Sequence, residues 1–189
     1  MDDTLLLQCY WGKAKPKTSS CPQWHPLVYH SLDMAACGRK LLEANTERRR
    51  SLARLSGLDE GALLAWLSFL LAAHDLGKFS DGFQNLRPDL LQALQERGTR
   101  ANYDERHDTL GWLFAQDYLP SAFAPDDTEA LRDLLIPWVS AVTGHHGRPP
   151  NNLSLNRVVL LLKRQFPASV RQDASRFIQE VACSPRMWG

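Results

Sequence analysis

The chain has 189 residues, 44% hydrophobic and 23% charged, with a formal net charge of +1, which suits one globular domain with its own core and excludes a globally basic nucleic-acid binder. Its four cysteines, Cys9, Cys21, Cys37 and Cys183, form no CxxC pair, which argues against a zinc ribbon, and neither a signal peptide nor an apolar run of about 20 residues can be read. A cytoplasmic protein with reduced thiols and no membrane partner is expected.

In chain order, little reads as strand and apolar residues recur at three- and four-residue spacing. A first helix is predicted from Pro26 to Ala44, with Leu27, His30, Met34, Cys37 and Leu41 on one stripe. Thr46–Ser56 is short and charged, Gly57 breaks it, and Asp59 suits a helix N-cap. Ala62–Ala73 is apolar on all sides and belongs at the centre of a fold. It ends at His74-Asp75-Leu76-Gly77, where Gly77 is placed to terminate it. Phe79–Asn85 reads as a loop. Helices follow at Pro88–Arg97 and Arg106–Tyr118, the second stopped by Pro120. Thr128–Val142 is helical with a kink predicted at Pro137, then come Gly144-His145-His146-Gly147 and a Pro-Pro turn. Ser154–Gln165 and Ala168–Ala182 close the chain. The expectation is one all-α domain over 1–189, with seven to nine helices, core motifs in 10–150 and basic helices in 151–189.

Charge is unevenly spread. Residues 148–189 (Arg148, Arg157, Lys163, Arg164, Arg171, Arg176 and Arg186 against Asp173 and Glu180) carry a net +5, and the other 147 residues a net −4. The basic end suits either a polyanion contact or a solvated helix face.

The six histidines, His25, His30, His74, His107, His145 and His146, all precede residue 148. Four fall where a predicted helix begins or ends. His74-Asp75 lies at the exit of the most apolar helix. A buried carboxylate there needs a partner or a cation, though an Asp capping a neighbouring helix also fits the dipeptide. His145-His146 sits between glycines that let backbone approach a ligand, or form a polar turn. His30 can be a hydrogen-bonded core residue, His107 a helix-terminal surface residue and Lys78 a surface lysine. Taken together, nitrogen and carboxylate donors without sulfur suit Mn, Fe, Co, Ni or Zn. Five histidines and one aspartate exceed the three ligands one catalytic metal commonly takes, and match two. Paired divalent ions serve phosphodiester hydrolysis, and Lys78 adds positive charge beside them.

The order His30, His74-Asp75, His107, His145-His146 is similar to that of HD-domain metal-dependent phosphohydrolases. WGK (11–13), HPLVYHSLDMAA (25–36), AHDLGKF (73–79), FQ (83–84), RHDTLG (106–111) and VTGHHGRP (142–149) narrow the likeness. They resemble the nuclease domain of the type I CRISPR nuclease–helicase family, nearest its I-E subtype. The resemblance implies two transition-metal ions held by His30, His74, Asp75, His107, His145 and His146. It implies that Asp75 bridges them and Lys78 supports the phosphate as a catalytic residue. The implied activity is cleavage of single-stranded DNA, with recruitment to the Cascade surveillance complex. His30 is preferred over His25 because HSLDMA fits the superfamily pattern; His25, in its HPL string, is the substitute. Two departures stand out. No GxxxxGK[ST] motif occurs, so unwinding falls to a separate helicase. No Ala-Asp-Trp-like string supplies the family's further aspartate, and Asp173 does not fit it. Three readings follow: an active nuclease, a truncated decoy that binds Cascade and blocks the intact enzyme, and a nucleotide phosphohydrolase, for which GHHGRP and WGK have no use.

Overall fold

The computed structural model describes residues 7–15, 24–123, 127–147 and 155–182. Cys21, Cys183, Arg148, Pro149, Arg186 and the Pro-Pro turn lie outside them. A hairpin of β1 (Trp11–Ala14) and β2 (Trp24–Pro26) leads into α1 (Leu27–Ala44), α2 (Thr46–Ser56) and α3 (Glu60–Ala72). A 3-10 turn (Leu76–Phe79), α4 (Asp81–Gln84), α5 (Pro88–Gln95) and α6 (His107–Phe123) follow. Then come α7 (Thr128–Thr143), a second 3-10 turn (Gly144–His146), α8 (Leu155–Gln165) and α9 (Ala168–Ala182). The fold is all-α, with nine α-helices among the described residues.

The hairpin is an addition to what periodicity predicts. Its strands are too short to show alternation, and the register slips between Trp11 and Lys13. It is antiparallel, pairing Lys13 with His25 and Ala14 with Trp24. Trp11, Phe83 and Leu90 form a small apolar cluster beneath it, with Trp24 and Tyr103 against the edge. The main core unites α1, α3, α6, α7, α8 and α9 through residues such as Leu27, Leu70, Phe114, Phe166 and Phe177. The stretch Glu60–Phe79 has the length and apolarity of a membrane span, but 67% of it is buried inside this core.

Local chemistry explains the boundaries. Asp59 caps α3 by accepting from Ala62 N at 2.9 Å, and Gly57 ends α2 at φ 72°, a conformation glycine adopts freely. In place of the loop expected over Phe79–Asn85, Ser80 accepts from Phe83 N and starts the short α4. Pro120 does not stop α6, which continues to Phe123. A proline frees the carbonyl four residues back, here Gln116 O, and Arg132 Nε of α7 donates to it at 3.4 Å. Pro137 likewise lies within α7.

The buried face of α1 also differs from the expected stripe. Leu27, His30, Ser31 and Ala35 are inside, whereas Met34, Cys37 and Leu41 are exposed. Small residues let α3 come close: a Cβ on Gly38 would stand 2.1 Å from Leu71 Cδ1. Gly77 does not cap α3, which ends at Ala72. Its missing side chain serves a crossing instead. A Cβ there would lie 1.7 Å from His107 O and 2.6 Å from Gly111 N. This glycine–glycine contact brings the start of α6 against the turn that follows Asp75.

Candidate metal centre

Five elements converge on one carboxylate. α1 supplies His30, the exit of α3 supplies His74 and Asp75, the 3-10 turn supplies Lys78, α6 begins at His107, and the second 3-10 turn carries His145 and His146. Asp75 is 2% exposed. Its Oδ2 lies 2.9 Å from His30 Nε2, 3.0 Å from His74 Nε2 and 2.8 Å from Lys78 Nζ. Its Oδ1 faces the other way, 3.4 Å from His107 Nε2 and 3.7 Å from His145 Nε2. His146 Nε2 stands 3.1 Å from His107 Nε2. His30, His74 and Asp75 form one group of donor atoms within 4.8 Å of one another, and His107, His145 and His146 form a second.

Hydrogen bonds set which ring nitrogens are free. His74 Nδ1 donates to Leu71 O at 2.6 Å, and His145 Nδ1 donates to Val142 O at 2.9 Å. A carbonyl can only accept, so each Nδ1 carries the proton and, in the neutral ring, Nε2 presents a lone pair. Both lone pairs point at oxygens of Asp75, which also only accept. Two acceptors in such proximity repel unless a cation lies between them. Asp75 Oδ1 is buried and has no hydrogen-bond partner, and a buried orphan acceptor is costly. A divalent ion for each group of donors removes both penalties, so the residues present fit the metals that their chemistry implies.

The same device operates at two helix ends. A helix leaves its last carbonyls without intrahelical donors. At the ends of α3 and α7 a histidine three residues on supplies the donor and is thereby aimed at Asp75. The negative ends of both helices face the site and favour cations there. Burial alone would push the Asp75 carboxyl up; the imidazoles of His107 and His30 outweigh it and hold the group ionised far below the usual range. Burial lowers the His145 imidazole, against the opposing effects of the Val142 carbonyl and the Asp75 charge, so it stays neutral and available as a ligand.

Three supporting residues go beyond the set that the sequence singles out. Tyr103 Oη accepts from His107 N at 3.0 Å and bonds His107 Nδ1 at 2.9 Å, which orients that ring from behind. Gln84, fully buried, donates to Trp11 O at 3.0 Å and Lys78 O at 2.8 Å and accepts from Trp11 N at 3.3 Å. It locks the hairpin to the metal turn. Gly12 completes the joint: its carbonyl accepts from Lys78 Nζ at 3.2 Å, and a Cβ on it would press on Leu27 and His30. For Gln84 and Gly12 the hint in the chain is their place in the FQ and WGK strings.

Lys78 is buried and faces the carboxylate, with Phe83 beneath it at 5.5 Å, and is no surface lysine. His25 stands outside both donor groups, pairing with exposed Asp33 at 3.1 Å. Asp173 takes no part; it accepts from Tyr10 Oη at 2.7 Å.

Comparison with known proteins adds three findings. The family described as "Cas3, HD domain" matches residues 11–184. Two proteins named CRISPR-associated endonuclease/helicase Cas3 are similar over most of the chain. That of Escherichia coli strain K12 is 32% identical over 157 residues, 73% of this chain. That of Thermus thermophilus is 31% identical over 163 residues, 83% of this chain. The chain spans only 17% of the length of each. A solved structure titled "Crystal structure of CRISPR-associated protein" shares the fold, with a TM-score of 0.66 and 21% identity, over 93% of this chain and 19% of the other.

Proposed function

Because the chain belongs to the Cas3 HD-domain family, we propose that it is a metal-dependent nuclease that hydrolyses single-stranded DNA at a two-ion centre. The observation that carries this reading is Asp75: one buried carboxylate whose two oxygens face two separate groups of imidazoles, one oxygen lacking any hydrogen bond. His30, His74 and Asp75 would hold one ion, and His107, His145 and His146 beside Asp75 would hold the other. The donor set suits Mn, Fe, Co, Ni or Zn. When bound, such a pair supplies an activated water and neutralises charge on the phosphate.

The chain's own residues supply position and charge. Lys78 directs two of its three donors at Asp75 and Gly12, which leaves one for a phosphate oxygen. His107, His145 and His146 lie at the more open side of Asp75, and the phosphodiester approaches there. Unwinding would come from a helicase, and recruitment from the Cascade complex.

The test is incubation of the full chain with circular single-stranded DNA and Mn²⁺, Ni²⁺ or Co²⁺. Cleavage that a chelator stops and Asp75→Ala abolishes is expected. No cleavage with any metal, together with binding to Cascade that excludes the full-length nuclease–helicase, would replace the nuclease by the decoy.

A further inference from the structure

The basic C-terminal end is the obvious candidate for holding DNA, but four of its arginines are already paired. Arg157 pairs with Glu105, Arg164 with Asp104, Arg171 with Asp117 and Arg176 with Glu180. Three of these acids belong to α6 or the segment before it, so three arginines of the end face acids of the body. A guanidinium already paired offers little to a phosphate.

The hairpin is different. Lys13 and Lys15 are exposed, and neither has an acidic partner among the described residues. With Ala14, Trp24 and His25 they line a cleft of about 310 Å³. Rings lead from the surface beside it toward the centre: Tyr29, 44% exposed, is 6.4 Å from His25, His25 is 6.4 Å from His30, and His30 is 5.4 Å from His74. Behind the cleft, Gly12 O and Gln84 tie β1 to Lys78. Cations free of partners beside partly exposed aromatics are what a single strand needs, since ammonium groups track its phosphates and any base stacks on a ring.

We infer that the β1–β2 cleft is a docking site for single-stranded DNA, with Lys13 and Lys15 on consecutive phosphates and Trp24 and Tyr29 under bases, leading the strand past His25 to the metal centre. The inference rests on the nuclease reading for its purpose and stands on a measurement independent of it. His25, displaced from the donor groups, acquires a place at the mouth of the centre.

Binding of a fluorescein-labelled oligothymidylate of about 15 nucleotides to the full chain is measured by anisotropy in EDTA over a salt series, so that no hydrolysis enters. Lys13→Ala/Lys15→Ala, two exposed changes, should raise Kd at least about tenfold at low salt. It should also reduce the slope of log Kd against log salt by about 1.4, the value for two lost phosphate contacts on a single strand. Trp24→Ala should weaken binding about tenfold with the slope unchanged; because Trp24 also packs on Trp11 and Phe83, the lysine pair is the deciding variant. Lys163→Ala on α8 should change neither quantity. A lysine double variant within about twofold of the parent and with the parent's slope overturns the inference, as does a duplex that competes as well as the single strand. Lysine-dependent binding without metal-dependent cleavage would retain the cleft and sink the nuclease; cleavage with lysine-independent binding would do the reverse.

Discussion

The two sides of Asp75 are built differently. His30 and His74 are buried with the carboxylate itself, and one of them is aimed by the last turn of α3. His107 is half-buried, and His145 and His146, on a three-residue turn after α7, are exposed. The buried side is part of the core, and its geometry is set by packing. The open side has ligands that solvent can touch and a tyrosine behind one of them. On the proposed reading, one carboxylate would serve two ions unequally, one on the buried side and one on the open side.

That inequality can be broken or sharpened by substitution. Asp75→Ala removes the carboxylate that the two groups share and should cost more than about a hundredfold in metal affinity on both sides, beyond the loss typical of a supporting residue, with cleavage abolished. His74→Ala should empty the buried side and, with that anchor lost, release both ions by elemental analysis, whereas His146→Ala should leave about one ion per chain. Equal losses in the two variants would erase the distinction. Gly77→Ala attacks the frame, forcing a methyl into His107 O, and should destabilise by more than about 3 kcal/mol in a chemical melt. Tyr103→Phe should weaken only the open side, by about tenfold to a hundredfold, readable as a second, weaker step in a metal titration.

The smallest effect lies away from the centre. Burial, then the bond to Asp173, raises the Tyr10 phenol. A group raised on folding stabilises fully below its unfolded value of about 10 and loses that contribution as pH climbs beyond it. Tyr10→Phe should cost about 1–2 kcal/mol at neutral pH and flatten the loss of stability above about pH 10 in thermal melts.

Much of this was legible in the chain. Helix formers and three–four spacing gave the all-α class, and Asp59 and Gly57 marked caps by chemistry that is local. The positions that misled are those where a distant partner decides. Pro120 survives inside α6 because Arg132 takes the carbonyl it frees. Gly77 reads as a terminator but answers to Gly111, thirty-four residues away. The α1 stripe turns toward Ser31 and Ala35 because Leu71 packs over Gly38. At the centre, the residue types and their order were readable, although each histidine taken alone also fitted a core, turn or surface role. The aim of His74 and His145 was not, because it depends on which carbonyl each Nδ1 finds. The net charge of 148–189 left two readings open, and the pairing of Arg157, Arg164 and Arg171 with Glu105, Asp104 and Asp117 is invisible to a count of arginines.

The most direct test is anomalous X-ray diffraction from crystals of the full chain soaked in Mn²⁺. Two peaks are predicted, one beside each oxygen of Asp75, with the stronger on the His30–His74 side. A single peak remote from Asp75, or none with its carboxylate still ringed by the same imidazoles, would contradict the shared centre.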